Sequence, residues 1–207
     1  MTALRGVFVL AAIIITLGAV SVAGYMWYTN QGLFQGDRIS GVPTGHIKVD
    51  HAQASHLDLL FSNYGGVSYN FVGEWVSVYI AYYERDELVL RERVNALGTA
   101  EPYELSGSVI WGITIEEGLR RELRVRISSG GAVSVNYFDF SQIDFVPGLF
   151  VNSPEFNNIN SRPIELGRRY ALQVWQTGNS WRADNYAFNP EQLRDSEKTT
   201  ILYIVFE

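Results

Sequence analysis

Residues 108–140 read SVIWGITIEEGLRRELRVRISSGGAVSVNYFDF, and the period of this stretch decides the fold. Val109, Trp111, Ile113 and Ile115 alternate with Ile110, Gly112 and Thr114, and Glu117-Gly118 marks a turn. Leu123, Val125 and Ile127 then alternate with Glu122, Arg124 and Arg126, so one face is apolar and the other is wet. A second turn falls at Ser128 to Gly131, after which Val133, Val135 and Tyr137 continue the alternation. Keeping all apolar residues on one side pairs Ile127 with Val133 and Val125 with Val135. That register predicts a three-residue loop, Ser129-Gly130-Gly131, with a glycine in the left-handed position.

The same reading extends in both directions. Trp75–Tyr83 and Leu88–Leu97 form a hairpin around Glu84-Arg85-Asp86-Glu87, and Tyr170–Gln176 is a strand introduced by Leu166-Gly167. Ile201-Leu202-Tyr203-Ile204-Val205-Phe206 is apolar on both faces, which predicts a central, fully covered strand. Near the end, Asn189 caps a short helix over Pro190–Ser196, with Gln192 at the capping-box position. Many short strands with glycine turns and little helix predict an all-β, antiparallel β-sandwich of immunoglobulin-like kind, with a barrel as the alternative. The composition agrees: aromatic residues make up 14% of the chain, with 12 Tyr, 11 Phe and 5 Trp, and such flat side chains suit pleated, half-buried surfaces.

Upstream the pattern changes altogether. No charge occurs between Arg5 and Asp37, and Val7 to Tyr28 (VFVLAAIIITLGAVSVAGYMWY) is apolar almost throughout. As a helix its 22 residues rise about 1.5 Å each, roughly 33 Å, the thickness of a bilayer core. Tyr25, Trp27 and Tyr28 stand where aromatic rings favour the membrane interface, and Arg5 on the opposite flank favours an N-inside orientation. The domains are therefore a membrane anchor over 1–30, a linker over 31–45 and an extracytoplasmic β domain over 46–207. Ala12, Thr16, Ala19 and Ala23 share one helix face, a candidate surface for helix packing.

Three fates fit this segment: a retained signal anchor, cleavage after Ser21-Val22-Ala23, or a prepilin-like leader. The third rests on a short basic start that ends in Arg5-Gly6 and runs at once into a long uncharged helix. Over about its first 30 residues the chain resembles the N-terminus of archaeal type IV pilins, archaellins and archaellum accessory proteins. The resemblance implies cleavage after Gly6 and helices that pack in a filament or stay in the membrane. Bacterial pilins carry a Glu at the fifth position after the cut, and here that position is Ala11.

Charge and composition narrow the function. Beyond the anchor, 15 basic residues face 22 acidic ones, a net of −7, so no basic surface is left to hold a phosphate backbone and nucleic acid is not an expected partner. The absence of cysteine excludes disulfides, iron–sulfur ligation, a thiol nucleophile and a blue-copper centre. His46, His51 and His56, with Asp50 and Asp58 nearby, are spaced by five, which puts them on no common face of a helix or strand. They read as surface residues, and no metal or cofactor is expected. Glu116-Glu117 are neighbours on a turn and point apart, and no catalytic motif occurs.

The remaining candidate is the polar insertion Thr177–Thr200. Trp181, Arg182, Asp184, Asn185 and Tyr186, with Phe188, make an aromatic-and-polar set of the kind that stacks on a sugar ring and binds its hydroxyls. The plainer alternative is that Trp181, Tyr186 and Phe188 fold back over a sheet edge. Asn157-Asn158-Ile159-Asn160 is a further polar loop with no specific signal. The expected function is that of a non-enzymatic, single-span cell-envelope structural or interaction protein. Its partners would be the lipid bilayer and another envelope protein or copies of itself. A pilin-like filament subunit and a carbohydrate-binding module are the alternatives.

Overall fold

The computed structural model describes residues 2–50, 61, 63–115, 121–145, 149–152, 161–178 and 187–207. One long helix, α1 (Thr2–Tyr28), precedes an antiparallel β-sandwich. Its strands are β1 (His46–Val49), β2 (Asn63–Glu84), β3 (Glu87–Ile115), β4 (Arg121–Ser129), β5 (Ala132–Asp139), β6 (Leu149–Asn152), β7 (Ser161–Pro163), β8 (Arg169–Gly178) and β9 (Ser196–Phe206). A one-turn helix, α2 (Pro190–Arg194), lies between β8 and β9.

The hairpin of β2 and β3 belongs to both layers. Its lower half, residues 63–73 against 103–113, joins β7, β1, β4 and β5 in the order β7-β1-β2-β3-β4-β5. Its upper half, residues 75–84 against 87–98, joins the other layer in the order β3-β2-β9-β8-β6. The crossing occurs at a break in register between Gly73 and Trp75. Backbones close up there: a Cβ on Gly98 would stand 2.3 Å from the Glu74 carbonyl oxygen, so only glycine lets β3 turn this corner. The Glu207 carbonyl holds the bend by accepting from the Glu74 and Trp75 N–H groups at 2.6 and 2.9 Å.

The core between the layers forms from the alternating residues that the pattern selects. Val109, Trp111, Ile113, Leu123, Val125 and Ile127 are buried on one side, and Val78, Ile80, Leu202, Ile204 and Phe206 on the other. The Phe206 ring meets Tyr69 and Phe71 edge-on at centroid distances of 5.5 and 5.0 Å, a favoured aromatic geometry. The Trp111 indole N–H donates to the Gln173 side-chain oxygen across the core.

β9 is central and covered on both faces, as its apolar run predicts. Its outer side carries a second apolar cluster in which Tyr79 stacks on Tyr203 at 5.4 Å and Phe188 meets Tyr203 edge-on at 5.1 Å. Arg91 lies over Tyr79 and Arg169 over Phe188, adding cation–π contacts at the margins. Leu193 of α2 packs into the same cluster. Asn189 caps α2 by accepting from the Glu191 N–H at 3.1 Å, and the helix stops at Arg194, two residues short of the expected end, because Ser196 already pairs with Gly178. Arg194 binds Asp86 in the β2–β3 turn, and that hydrogen bond holds the Asp86 carboxyl below its ordinary pKa.

One expectation is overturned. β4 and β5 pair Ser129 with Ala132, Ile127 with Ser134 and Val125 with Asn136, so the loop has two residues, not three. Gly130 and Gly131 have φ of +55° and +84°, the pair of left-handed positions a type I′ turn requires, and its twist matches that of the flanking strands. The slip of one residue sends Val133, Val135 and Tyr137 outwards, where they are 53%, 65% and 64% exposed. The inner positions go to Ser134, Asn136 and the buried Phe138. Buried Asn95 of β3 makes the polar register tolerable. Its amide donates to the carbonyls of Val125 and Ser134 at 2.9 and 3.1 Å, and the Ser134 hydroxyl donates back to it at 2.7 Å.

Candidate functional site

The junction of helix and sandwich begins with the way α1 ends. Asn30 takes a left-handed conformation at φ +52°, the Gln31 N–H reaches the Met26 carbonyl at 2.8 Å and the Asn30 N–H reaches that of Trp27 at 3.3 Å. This is a Schellman motif, which satisfies carbonyls that a helix end otherwise leaves open. Asparagine tolerates the left-handed position, and its amide is then free to bond elsewhere. The Asn30 side chain is buried, donates to the Val42 carbonyl at 2.7 Å and to the Thr44 hydroxyl at 3.4 Å, and accepts from Arg38 at 3.2 Å.

Residues 31–45 connect α1 to β1 and are strapped across the sheet. Asn70 of β2, fully buried, donates to the carbonyls of Ile39 and Val42 at 2.9 and 2.6 Å and accepts from the Ile39 N–H at 2.8 Å. Arg38 forms an ion pair with Glu104 of β3. Two asparagines thus supply the hydrogen bonds that a paired strand would otherwise supply. Replacing Asn30 with Ala leaves the Val42 and Thr44 acceptors without this donor, at a cost of about 1–3 kcal/mol. The expected sign is faster hydrogen exchange at the Gln31 and Gly41 amides, while Asn30→Gly, which keeps the left-handed backbone, shows the effect of losing the side chain alone.

Beside the strap lies a groove of about 750 Å³ on the outer face of the first layer. Its floor is Ser106, Ser108 and Ser128, one wall is Asp37 with Tyr103, and the other is the Gly130-Gly131 turn with Val133. The Ser108 and Ser128 hydroxyls are 2.9 Å apart and hydrogen-bonded. Ser106 is buried and its hydroxyl has no partner within the described residues. Beneath the floor, the Tyr69 hydroxyl donates to the Ser128 carbonyl at 3.4 Å, and burial pushes its pKa well above the ordinary phenol range, so it stays neutral. Arg126, exposed at the rim, forms no ion pair among the described residues. Hydroxyls, one aromatic ring, one guanidinium and the carboxylates of Asp37 and Glu104 suit a polar, hydroxyl-rich ligand.

The groove runs into the Val133, Val135 and Tyr137 stripe on β5, the outermost strand of its layer. Arg126 stands opposite Val135 and Arg124 opposite Tyr137, so the stripe is bordered by cations. None of this was expected from the sequence. The serines at 106, 108, 128 and 129 were the only signal, since small hydroxyl residues in mid-strand neither fill a core nor favour a strand.

The predicted site residues fare unevenly. Trp181, Arg182, Asp184, Asn185 and Tyr186 lie outside the described residues, as do His51, His56, Asp58, Glu116, Glu117 and 157–160. Phe188 does fold over the sheet. His46 is half-buried at the start of β1, where its ring sits against Thr44 and meets Tyr28 edge-on at 6.2 Å. Among the described residues no group of three His, Cys, Asp or Glu gathers closely enough to hold a metal. On α1, Ala12, Thr16, Ala19 and Ala23 are exposed, and the Thr16 hydroxyl donates to the Ala12 carbonyl at 2.8 Å, so the small-residue face shows no open polar group to a neighbour. Set against family models, curated proteins and solved structures, the chain finds no match.

Proposed function

We propose that the chain is a non-enzymatic, single-span cell-envelope protein that holds its sandwich close to the membrane to engage an envelope partner or a second copy. The junction carries this reading. A helix long and apolar enough to cross a bilayer, exposed from Leu10 to Tyr25, passes without a free tether into a connecting segment whose Val42 carbonyl accepts from both Asn30 and Asn70 of the sandwich. Such a weld has a use when the orientation of the domain matters, as it does for a docking protein and not for a tethered enzyme. The N-terminus would lie inside and the sandwich outside. The open groove and the β5 stripe are the surfaces a partner would meet.

Alkaline carbonate washing of membranes tests the anchor. The full chain should stay in the pellet, whereas a chain starting at Thr29, which keeps Asn30 and the strap, should move to the supernatant. Full-length chain in the carbonate supernatant refutes the span. The filament version of this reading draws on the apolar small-residue face of α1, and the mature N-terminus decides it: Val7 supports a processed, pilin-like subunit and Met1 a static anchor. The carbohydrate-binding alternative rests on residues 181–186.

A further inference from the structure

The chain does not leave the helix end by moving away from it. After the Schellman turn, Gly32-Leu33-Phe34 forms a 3-10 turn, and Gly32 itself has a φ of +57°. A Cβ on Gly32 would stand 2.8 Å from the Met26 methyl group. Side chains on a helix lean towards its N-terminus, so the atom Gly32 touches lies level with the last helical turn, not beyond it. The chain has doubled back. It does so within the uncharged stretch that ends only at Asp37.

Leu33 is 99% exposed and Phe34 42%, and no residue of the turn is buried. A leucine so fully bare, at the depth of Tyr25, Trp27 and Tyr28, has no stabilising contact in the chain itself. What stands at that depth around a spanning helix is the boundary of headgroups and acyl chains, which receives apolar and aromatic side chains alike. We infer that the Gly32–Phe34 turn is a second membrane contact, a small apolar wedge that inserts Leu33 and Phe34 into the lipid interface beside α1. The inference rests on reading α1 as a membrane span. The occupant is the lipid surface because the turn is continuous with the lipid-facing helix and carries no charge of its own. With helix and wedge both seated, the sandwich has two points of attachment and is fixed in rotation about the helix axis as well as in depth.

The chain has no cysteine, so a single introduced one is a unique label site. Nitroxides are placed on Leu33→Cys, on Val20→Cys in mid-helix, and on Leu166→Cys, an exposed sandwich position, each in the full chain reconstituted in phosphatidylcholine vesicles. Collision with oxygen, which concentrates in lipid, is compared with collision with a nickel chelate, which stays in water. The expected order is Val20 deepest, Leu33 intermediate with an oxygen-to-nickel ratio severalfold above that of Leu166, and Leu166 water-like. A Leu33 ratio equal to that of Leu166, with Val20 lipid-like, overturns the wedge and leaves the anchor standing. A Leu33 label shielded from both probes, again with Val20 lipid-like, overturns it in favour of a second protein copy. A water-like Val20 label removes the span itself, and the wedge with it.

Discussion

Gly107→Ala is expected to destabilise the sandwich by about 3 kcal/mol or more, at the upper end of what overpacking usually costs. A Cβ at Gly107 would lie 1.8 Å from the Ser128 carbonyl oxygen and 2.8 Å from its carbon. Both are backbone atoms of β4, and Gly107 pairs with Ser129 in the β3–β4 ladder. No side chain can swing aside, so the strands must separate where nine residue pairs run from Gly107–Ser129 to Ile115–Arg121. The groove floor would be lost along with the ladder, because Ser106, Ser108 and Ser128 flank the same point. Gly130→Ala supplies the comparison. There the added carbon meets nothing within 4 Å, and only the left-handed backbone is strained, at about 1–2 kcal/mol. Chemical denaturation of the two variants should therefore give clearly different midpoints, and equal ones would mean that β3 and β4 do not approach so closely.

Trp111→Ala should cost about 3–5 kcal/mol, the range for removing a buried large aromatic. The ring is buried and stands where a side chain on Gly65 would be, since a Cβ there would fall 2.3 Å from it. Its indole N–H is also the hydrogen-bond partner of the Gln173 side-chain oxygen, and the Gln173 amide nitrogen has no partner in the described residues. Removing the tryptophan thus strands a whole buried amide as well as opening a cavity. In the double variant with Gln173→Leu, part of the loss should return, because no polar group is left unpaired. Strict additivity of the two changes would show that the hydrogen bond contributes nothing of its own.

Much of the sandwich was legible because burial imposes period two. Leu123, Val125 and Ile127 had to face one way, and Ile201–Phe206 had to be covered on both sides. Hydrophobic alternation alone gives the wrong β4–β5 register, because turn chemistry outweighs it there. Two adjacent glycines favour a two-residue turn, and Phe138, not Tyr137, marks the inner face. The continuous β2–β3 hairpin could be read only as separate pieces, since the glycines that let it bend, Gly73 and Gly98, look like any others in a strand. The junction was not legible at all. Asn30 and Asn70 lie 40 positions apart, and two amides that bond to backbone carbonyls leave no periodic trace. The groove was hidden for a similar reason, being floored by serines whose spacing carries no chemistry until strands place them together.

With α1 spanning a bilayer as proposed, the weld at Asn30 would change what membrane thickness means for this molecule. A spanning helix longer than the local hydrocarbon layer leans over, commonly by about 20°. A domain on a loose tether would ignore that tilt. Here the sandwich would lean with the helix, so a thinner bilayer would tip its groove and edge strand to a new angle. Bilayer thickness would then be read out as the direction in which the groove faces.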